Sequence, residues 1–239
     1  MSRIEMVEEL YRRYGDPQLN RQRRWRFLWK RYAWMFVIGG ARLLKRGLDA
    51  TGSGLGLLAL APIFTLVALA IKLTDRGPVL FWQSRVGQWG REFPFPKFRS
   101  MVVNAEALKD QLMEQNEHGQ SVTFKMKKDP RITWIGRIIR RTSIDELPQL
   151  WCVLKGDMSL VGPRPPVPRE VALYTLQDRR RLDVIPGLTC IWQVEGRGDI
   201  PFDEQVQMDM AYIESQSFWF DIKLLFKTIP AVLTGKGAY

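Results

Sequence analysis

A chain of 239 residues that is 46% hydrophobic and carries a formal net charge of +11 has enough apolar material for one sizeable domain with its own core, which excludes a disordered or fibrous protein. Its two cysteines, Cys152 and Cys190, lie far apart, form neither a disulfide framework nor a zinc set, and point to a reducing compartment. The sole histidine, His118, sits in the polar run EQNEHGQ, so serine–histidine–aspartate and histidine–metal chemistry have almost nothing to work with.

The basic excess lies at the N-terminus. Residues 1 to 46 carry 12 Lys/Arg against 4 Asp/Glu, a net of +8, while the remaining 193 residues carry a net of only +3. Within this arm, RQRRWRFLWKRYAWMF interleaves Arg21, Arg23, Arg24, Arg26, Lys30 and Arg31 with Trp25, Phe27, Trp29, Tyr32, Trp34 and Phe36. Cations mixed with rings suit nucleic acid, where they meet phosphates and bases. They equally suit an anionic bilayer, where rings settle at headgroup level. The adjoining segment favours the bilayer: from Ala50 to Ile71 there are 22 residues without a charge, longer than the ~20 helical residues that cover the hydrocarbon thickness.

Two features argue against a simple crossing. Pro62 falls near the middle, where it deletes a backbone hydrogen bond and clashes with the preceding turn. Basic residues also flank both ends, with Arg42, Lys45 and Arg46 before and Lys72 and Arg76 after, and Lys and Arg prefer the cytoplasmic side. Residues 48–72 are therefore read as a re-entrant membrane helix broken at Pro62, with a straight crossing as the alternative.

Beyond it, PVLFWQSRVG and REFPFPKFRSM, joined through Gln88 to Gly90, predict a β-hairpin whose second strand Pro94 and Pro96 confine to an edge. Helices are predicted over 104–117 from the cap Asn104, over 130–141 and 146–155, and from near Asp203 with Val206, Met210 and Ile213 inward. The C-terminal FWFDIKLLFKTIPAVLTG, residues 218–235, is interrupted by Asp221, Lys223 and Lys227 and shortened by Pro230. It reads as an amphipathic helix at the membrane interface with Trp219, Phe220 and Phe226 as anchors, or as an ordinary core-facing helix.

The stretch RRTSIDELPQLW, residues 140–151, places Asp145 and Glu146 side by side just beyond two arginines. Adjacent carboxylates cannot flank a sugar ring as a glycosidase pair must. The chain also lacks a GxxxxGK[ST] loop, a Rossmann glycine fingerprint and a metalloprotease histidine pair. Three readings remain: a capping box with Ser143 as cap and Glu146 reaching back, a surface ion pair, or a nucleophile held among cations. The cap fits imperfectly because Pro148 would be the fifth helical residue, yet cap or ion pair is the plainer reading of these residues alone. The chemical reading rests on the grouping of carboxylates with arginines, lysines and the rigid turn GPRPP at 162–166. Guanidinium groups and a divalent cation must neutralise a diphosphate before an anionic nucleophile can approach it. Arginine suits that role by its permanent charge and bidentate geometry, and Mg²⁺ by its habit of binding one or two carboxylates plus phosphates.

Six blocks in order, KRGLDATG, GPVLFWQSRVG, FPKFRSM, RRTSIDELPQLWCVLKGDMSLVGPRPP, PGLTCIWQVEGRG and DMAYIESQSFWFDIKLLFKTIPAVLTGKGAY, resemble the bacterial sugar transferases, the monotopic phosphoglycosyl transferases. The resemblance covers roughly residues 42–239. It implies transfer of a sugar phosphate from a UDP-sugar to polyprenyl (undecaprenyl) phosphate, with Asp145 as nucleophile and Glu146 assisting through metal or proton positioning, so that both are metal candidates for Mg²⁺. It further implies that Lys97, Arg99, Arg140, Arg164 and, more weakly, Arg197 lie near the phosphates or nucleotide. A re-entrant helix broken at a proline belongs to the same picture. Cys152, Cys190 and Glu195 stand where asparagine, glycine and serine are usual, and Ala61-Pro62 replaces a Ser-Pro of some relatives.

The expected architecture is α+β: a mainly helical single domain with a small β-hairpin, a re-entrant membrane helix and interfacial amphipathic helices. The expected parts are a basic aromatic arm over 1–41, the membrane helix and its flanks over 42–76, and a catalytic domain over 77–239. The expected setting is the cytoplasmic face of the bacterial inner membrane, with membrane lipid but no nucleic acid as a partner and a homodimer left open.

Overall fold

The computed structural model describes residues 17–105 and 129–234, with Glu9, Ala107 and Leu108 besides. His118, most of the predicted helix over 104–117 and the first 16 residues of the arm apart from Glu9 lie outside the described residues, as do the side chains of Arg23, Arg24, Phe27, Arg31, Trp34 and Phe36. Two compact units are present, Met1–Lys45 and Arg46–Tyr239. In the first, Trp25, Trp29 and Tyr32 are exposed.

Helix α1 spans Pro17–Asp75. Its part from Gly39 to Asp75 is long and apolar enough to cross a membrane, and only 11% of its most apolar window is buried in the protein. A core helix of a soluble protein would be mostly buried, so this segment is a membrane-embedded one. Helical backbone runs through Pro62 to Asp75. Without water to satisfy freed carbonyls, a helix in an apolar medium keeps every hydrogen bond it can, and one missing N–H is tolerated.

From Arg46 onward α1 lies on its domain on both sides of Pro62. The Arg46 guanidinium donates to the carbonyls of Val153 and Leu154 at 2.7 and 2.5 Å. Asp49 is buried and accepts from the Ser159 hydroxyl at 3.0 Å and the Leu160 N–H at 2.9 Å. Gly52 lets the helix approach closely, since a Cβ there would stand 2.9 Å from Leu160 Cδ1. Past the proline, Phe64, Val67 and Ile71 pack with Phe98 and Ile139. Replacing Asp49 with Leu should strand two buried donors, each worth about 1–3 kcal/mol. A lower thermal midpoint for Asp49→Leu than for Asp49→Asn in detergent checks this.

Strands β1 (Leu80–Val86) and β2 (Glu92–Phe98) form the predicted antiparallel hairpin, with Leu80 opposite Phe98 and Val86 opposite Glu92. Its turn holds Trp89 and Gly90 at φ 57° and 81°. The prolines fit because both strands of a two-stranded sheet are edges. Helix α2 (Trp134–Arg141) is capped by Thr133, whose hydroxyl accepts from Gly136 N–H at 3.0 Å. A 3₁₀ turn over Ile144–Gln149 leads into α3 (Leu150–Lys155), which Gly156 ends at φ 96°.

A second sheet goes beyond the sequence reading: β3 (Ser159–Val161) pairs in parallel with β4 (Gly187–Thr189). Strands of three residues are too short to show a two-residue period. Short helices α4 (Pro168–Val171), α5 (Leu176–Arg179) and α6 (Ile191–Glu195) are followed by α7 (Phe202–Ser215) and α8 (Phe218–Thr234), and α3 and α8 pack against this sheet. Phe93, Phe95, Leu150, Val153, Met158, Val161, Tyr212 and Leu224 form the core. Val206 and Met210 are buried as predicted and Ile213 half-buried. On α8 Trp219 and Phe226 are exposed, but Phe220 turns inward against Tyr212 and is not an anchor. Asp221 is likewise inward, accepting from the Tyr212 hydroxyl at 2.8 Å.

Candidate active site

The dyad is set by a backbone irregularity. Ser143 adopts the left-handed conformation at φ 55°, which turns the chain from α2 into the 3₁₀ turn. In that conformation Ser143 makes no capping bond, and the capping box does not form. Glu146 reaches instead to two cations from elsewhere in the chain. Lys97 of β2 donates to its Oε1 at 2.8 Å. Arg164, from the loop after β3, straddles both oxygens at 2.5 and 3.1 Å. The ion-pair reading therefore holds for Glu146, but as a half-buried bidentate clamp rather than a surface contact.

Asp145 is different. It is 7% exposed, and among the described residues its carboxylate accepts no hydrogen bond. Burial pushes its pKa up from the ordinary value to about 6, Glu146 adds to the rise, and Lys97, Arg140 and Arg164 oppose it. Burial would raise Glu146 too, but Arg164 and Lys97 outweigh it and hold that carboxyl well below the usual range. Two neighbouring carboxylates thus have divergent environments, one committed to cations and one left available. Such divergence is how a site separates the roles of like groups.

Both acids line a cleft of about 1150 Å³ together with Lys97, Arg164, Arg140 and Arg197. Residues spread over a hundred positions of sequence converge there. The Arg197 guanidinium is held below its ordinary range by burial, against the pull of Glu146 and Asp145. Arg99 also lines the cleft, but its guanidinium is buried and paired with Asp75 at the end of α1, which ties the helix to the hairpin. Arg85 and Gln83 of β1 enter the cleft wall although sequence reasoning does not single them out, as do Trp192 and Gln193 of α6. The two-residue spacing of Gln83, Arg85 and of Phe95, Lys97 is a usable signal, because it puts each pair on one face of its strand.

Among the described residues no cluster of three or more metal-capable side chains exists. A carboxylate such as Asp145, with no hydrogen bond of its own among them, fits a hard cation completed by substrate oxygens rather than by a protein cage.

The sequence model describing the bacterial sugar transferases matches residues 40–235. The chain belongs to the bacterial sugar transferase family. It is 47% identical over 208 residues to the galactosyl transferase CpsE of Streptococcus agalactiae, covering 87% of this chain and 46% of that one. It is 44% identical over 203 residues to the undecaprenyl-phosphate galactose phosphotransferase of Salmonella typhimurium, covering 83% and 42%. Against the exopolysaccharide production protein ExoY of Sinorhizobium fredii it is 38% identical over 205 residues, covering 84% and 90%. The chain thus spans less than half of the first two relatives and nearly all of the third.

Proposed function

We propose that this chain is a polyprenyl-phosphate sugar-1-phosphate transferase. It takes a sugar phosphate from a UDP-sugar, passes it through a covalent aspartyl-phosphosugar to undecaprenyl phosphate, and so begins an exopolysaccharide, O-antigen or glycoconjugate. The observation that carries this reading is the asymmetric dyad: a buried Asp145 carboxylate with no hydrogen bond among the described residues, beside a Glu146 that Lys97 and Arg164 neutralise. The names of the relatives, which include galactose and glucose phosphotransferases, make UDP-galactose and UDP-glucose the first donors to test.

Asp145 Oδ attacks the β-phosphorus of the donor. The P–O bond to the α-phosphate breaks, its electron pair leaves with UMP, and an acyl phosphate carries the sugar. An oxygen of undecaprenyl phosphate then attacks the same phosphorus, the bond to Asp145 breaks, and the free carboxylate is restored with the sugar on a lipid diphosphate. Ionised at neutral pH because its pKa is about 6, Asp145 needs no separate base for the first step. Lys97 and Arg164 cancel the charge of Glu146, which would otherwise repel both nucleophile and diphosphate. Mg²⁺ would be held by Asp145 and the donor phosphates, with Glu146 already taken up by its cations, and would supply further neutralisation of phosphate charge.

The contacts of α1 on both sides of Pro62 support a segment that enters the bilayer without carrying its domain across, as a re-entrant element of a cytoplasmic-face enzyme would. Incubation of the purified protein with radiolabelled UDP-galactose or UDP-glucose and undecaprenyl phosphate is expected to give UMP and a labelled lipid. Omission of the lipid should leave a phosphosugar on the peptide bearing Asp145 by mass spectrometry. Turnover by a route that leaves that peptide unmodified throughout would overturn the covalent mechanism.

A further inference from the structure

We infer that Arg85, with Gln83 beside it, forms a second phosphate-binding position in the cleft, separate from the Lys97 and Arg164 clamp on Glu146; this rests on the proposed transfer reaction. The guanidinium donates to the Pro165 carbonyl at 2.9 Å and to Gln83 Oε1 at 2.8 Å, both neutral acceptors. Its Nε–H is buried and without a partner among the described residues. A guanidinium offers five N–H donors, and those contacts use only two. The nearby carboxylates act on it through space and make no hydrogen bond to it: Glu146 is held by Lys97 and Arg164, and Glu170 accepts from the N–H of Val167 at 3.0 Å.

Position links this cation to the dyad. Arg85 and Lys97 approach the same Phe95 ring, at 5.1 and 5.4 Å from its centroid. Pro165, which Arg85 holds, directly follows Arg164. Burial, and next the charge of Arg164, push the Arg85 pKa down to about 10, against the weaker pull of Glu170 and Glu146. A half-buried cation beside another cation, with a buried Nε–H and no hydrogen-bonded carboxylate of its own, is completed by an incoming anion. Arginine can only donate, so Gln83 must turn its oxygen toward Arg85, which leaves its amide N–H groups free to join the same anion. The anion is a substrate phosphate, drawn either from the donor diphosphate or from the lipid monophosphate.

Purified full-length protein in detergent, wild type, Arg85→Gln and Arg85→Lys, separates these sources. UDP binding is followed by calorimetry, and KM is measured for the UDP-sugar and for undecaprenyl phosphate. Loss of a charge-assisted hydrogen bond should weaken the affected ligand by about 10- to 100-fold in Arg85→Gln, with Arg85→Lys in between. Weaker UDP binding and a raised donor KM assign the donor diphosphate. Unchanged UDP binding with a raised lipid KM assigns the acceptor. The inference is overturned if both affinities stay at wild-type values. It is equally overturned if the variants lose thermal stability without ligand and lower kcat at unchanged KM, because Arg85 then only braces Pro165. Wild-type protein that binds UDP through Arg85 but transfers no sugar phosphate would instead reject the proposed reaction and leave the binding position standing.

Discussion

Asp145→Asn is expected to lower sugar-phosphate transfer by about 10⁴-fold or more, since an amide cannot form the acyl phosphate through which both half-reactions pass. The fold should survive, and its stability should respond with a particular sign. The carboxyl has a folded pKa of about 6, above the ordinary 3.8, so the folded state holds the proton more tightly than the unfolded one. The resulting stabilisation is fully present below the ordinary value and is lost as pH rises through about 6. Asn mimics the protonated acid. Without divalent cation, the variant should match wild type near pH 4 and exceed it at pH 7.5, by at most about 3 kcal/mol. Thermal unfolding at the two pH values, with a transfer assay at the higher one, tests both parts. A variant that turned over at the wild-type rate would remove Asp145 from the mechanism.

The second large effect concerns stability. Arg181 is 6% exposed and Asp209 is fully buried, and they meet through Nε and Oδ2 at 2.7 Å. The same guanidinium donates to the Tyr174 hydroxyl at 2.9 Å and lies over the Phe202 ring at 5.6 Å. Burial raises the Asp209 pKa to about 6 although Arg181 pulls the other way. Asp209→Ala would leave a buried guanidinium without its anion, a loss of about 3–5 kcal/mol that should lower the thermal midpoint by about 10 °C. Removing both charges, as Arg181→Met with Asp209→Leu, should cost less than removing the acid alone. A double variant less stable than Asp209→Ala would mean that the pair stabilises by more than mutual neutralisation.

Parts of the fold are legible in the sequence because local periodicity carries them. The hairpin shows itself in alternating β-formers around Gln88 to Gly90, and α7 in the spacing of Val206 and Met210, two patterns that a core imposes on any strand or helix. The β3–β4 pair is not legible, because three residues hold no period. Composition misplaces Phe220 as an anchor, since it records that a helix is aromatic but not which ring meets Tyr212. At Pro62 helical backbone carries on past a residue whose local effect is strong, because the apolar surroundings that favour keeping every remaining hydrogen bond are a property of the medium.

At the site, residue chemistry alone showed that Asp145 and Glu146 stand among cations, that a histidine pair, a GxxxxGK[ST] loop and a Rossmann glycine fingerprint are missing from the sequence, and that a long uncharged stretch adjoins a basic arm. Those are properties of side-chain type and order along the chain. Which acid is clamped and which stays available depended on Ser143 turning left-handed and on β2 and the loop after β3 delivering Lys97 and Arg164 to the same carboxylate. The fate of Arg99 and the opening left at Arg85 were decided in the same way. Charges far apart along the chain interact through distances and burial that exist only once it has folded, so tertiary packing alone assigned the partners.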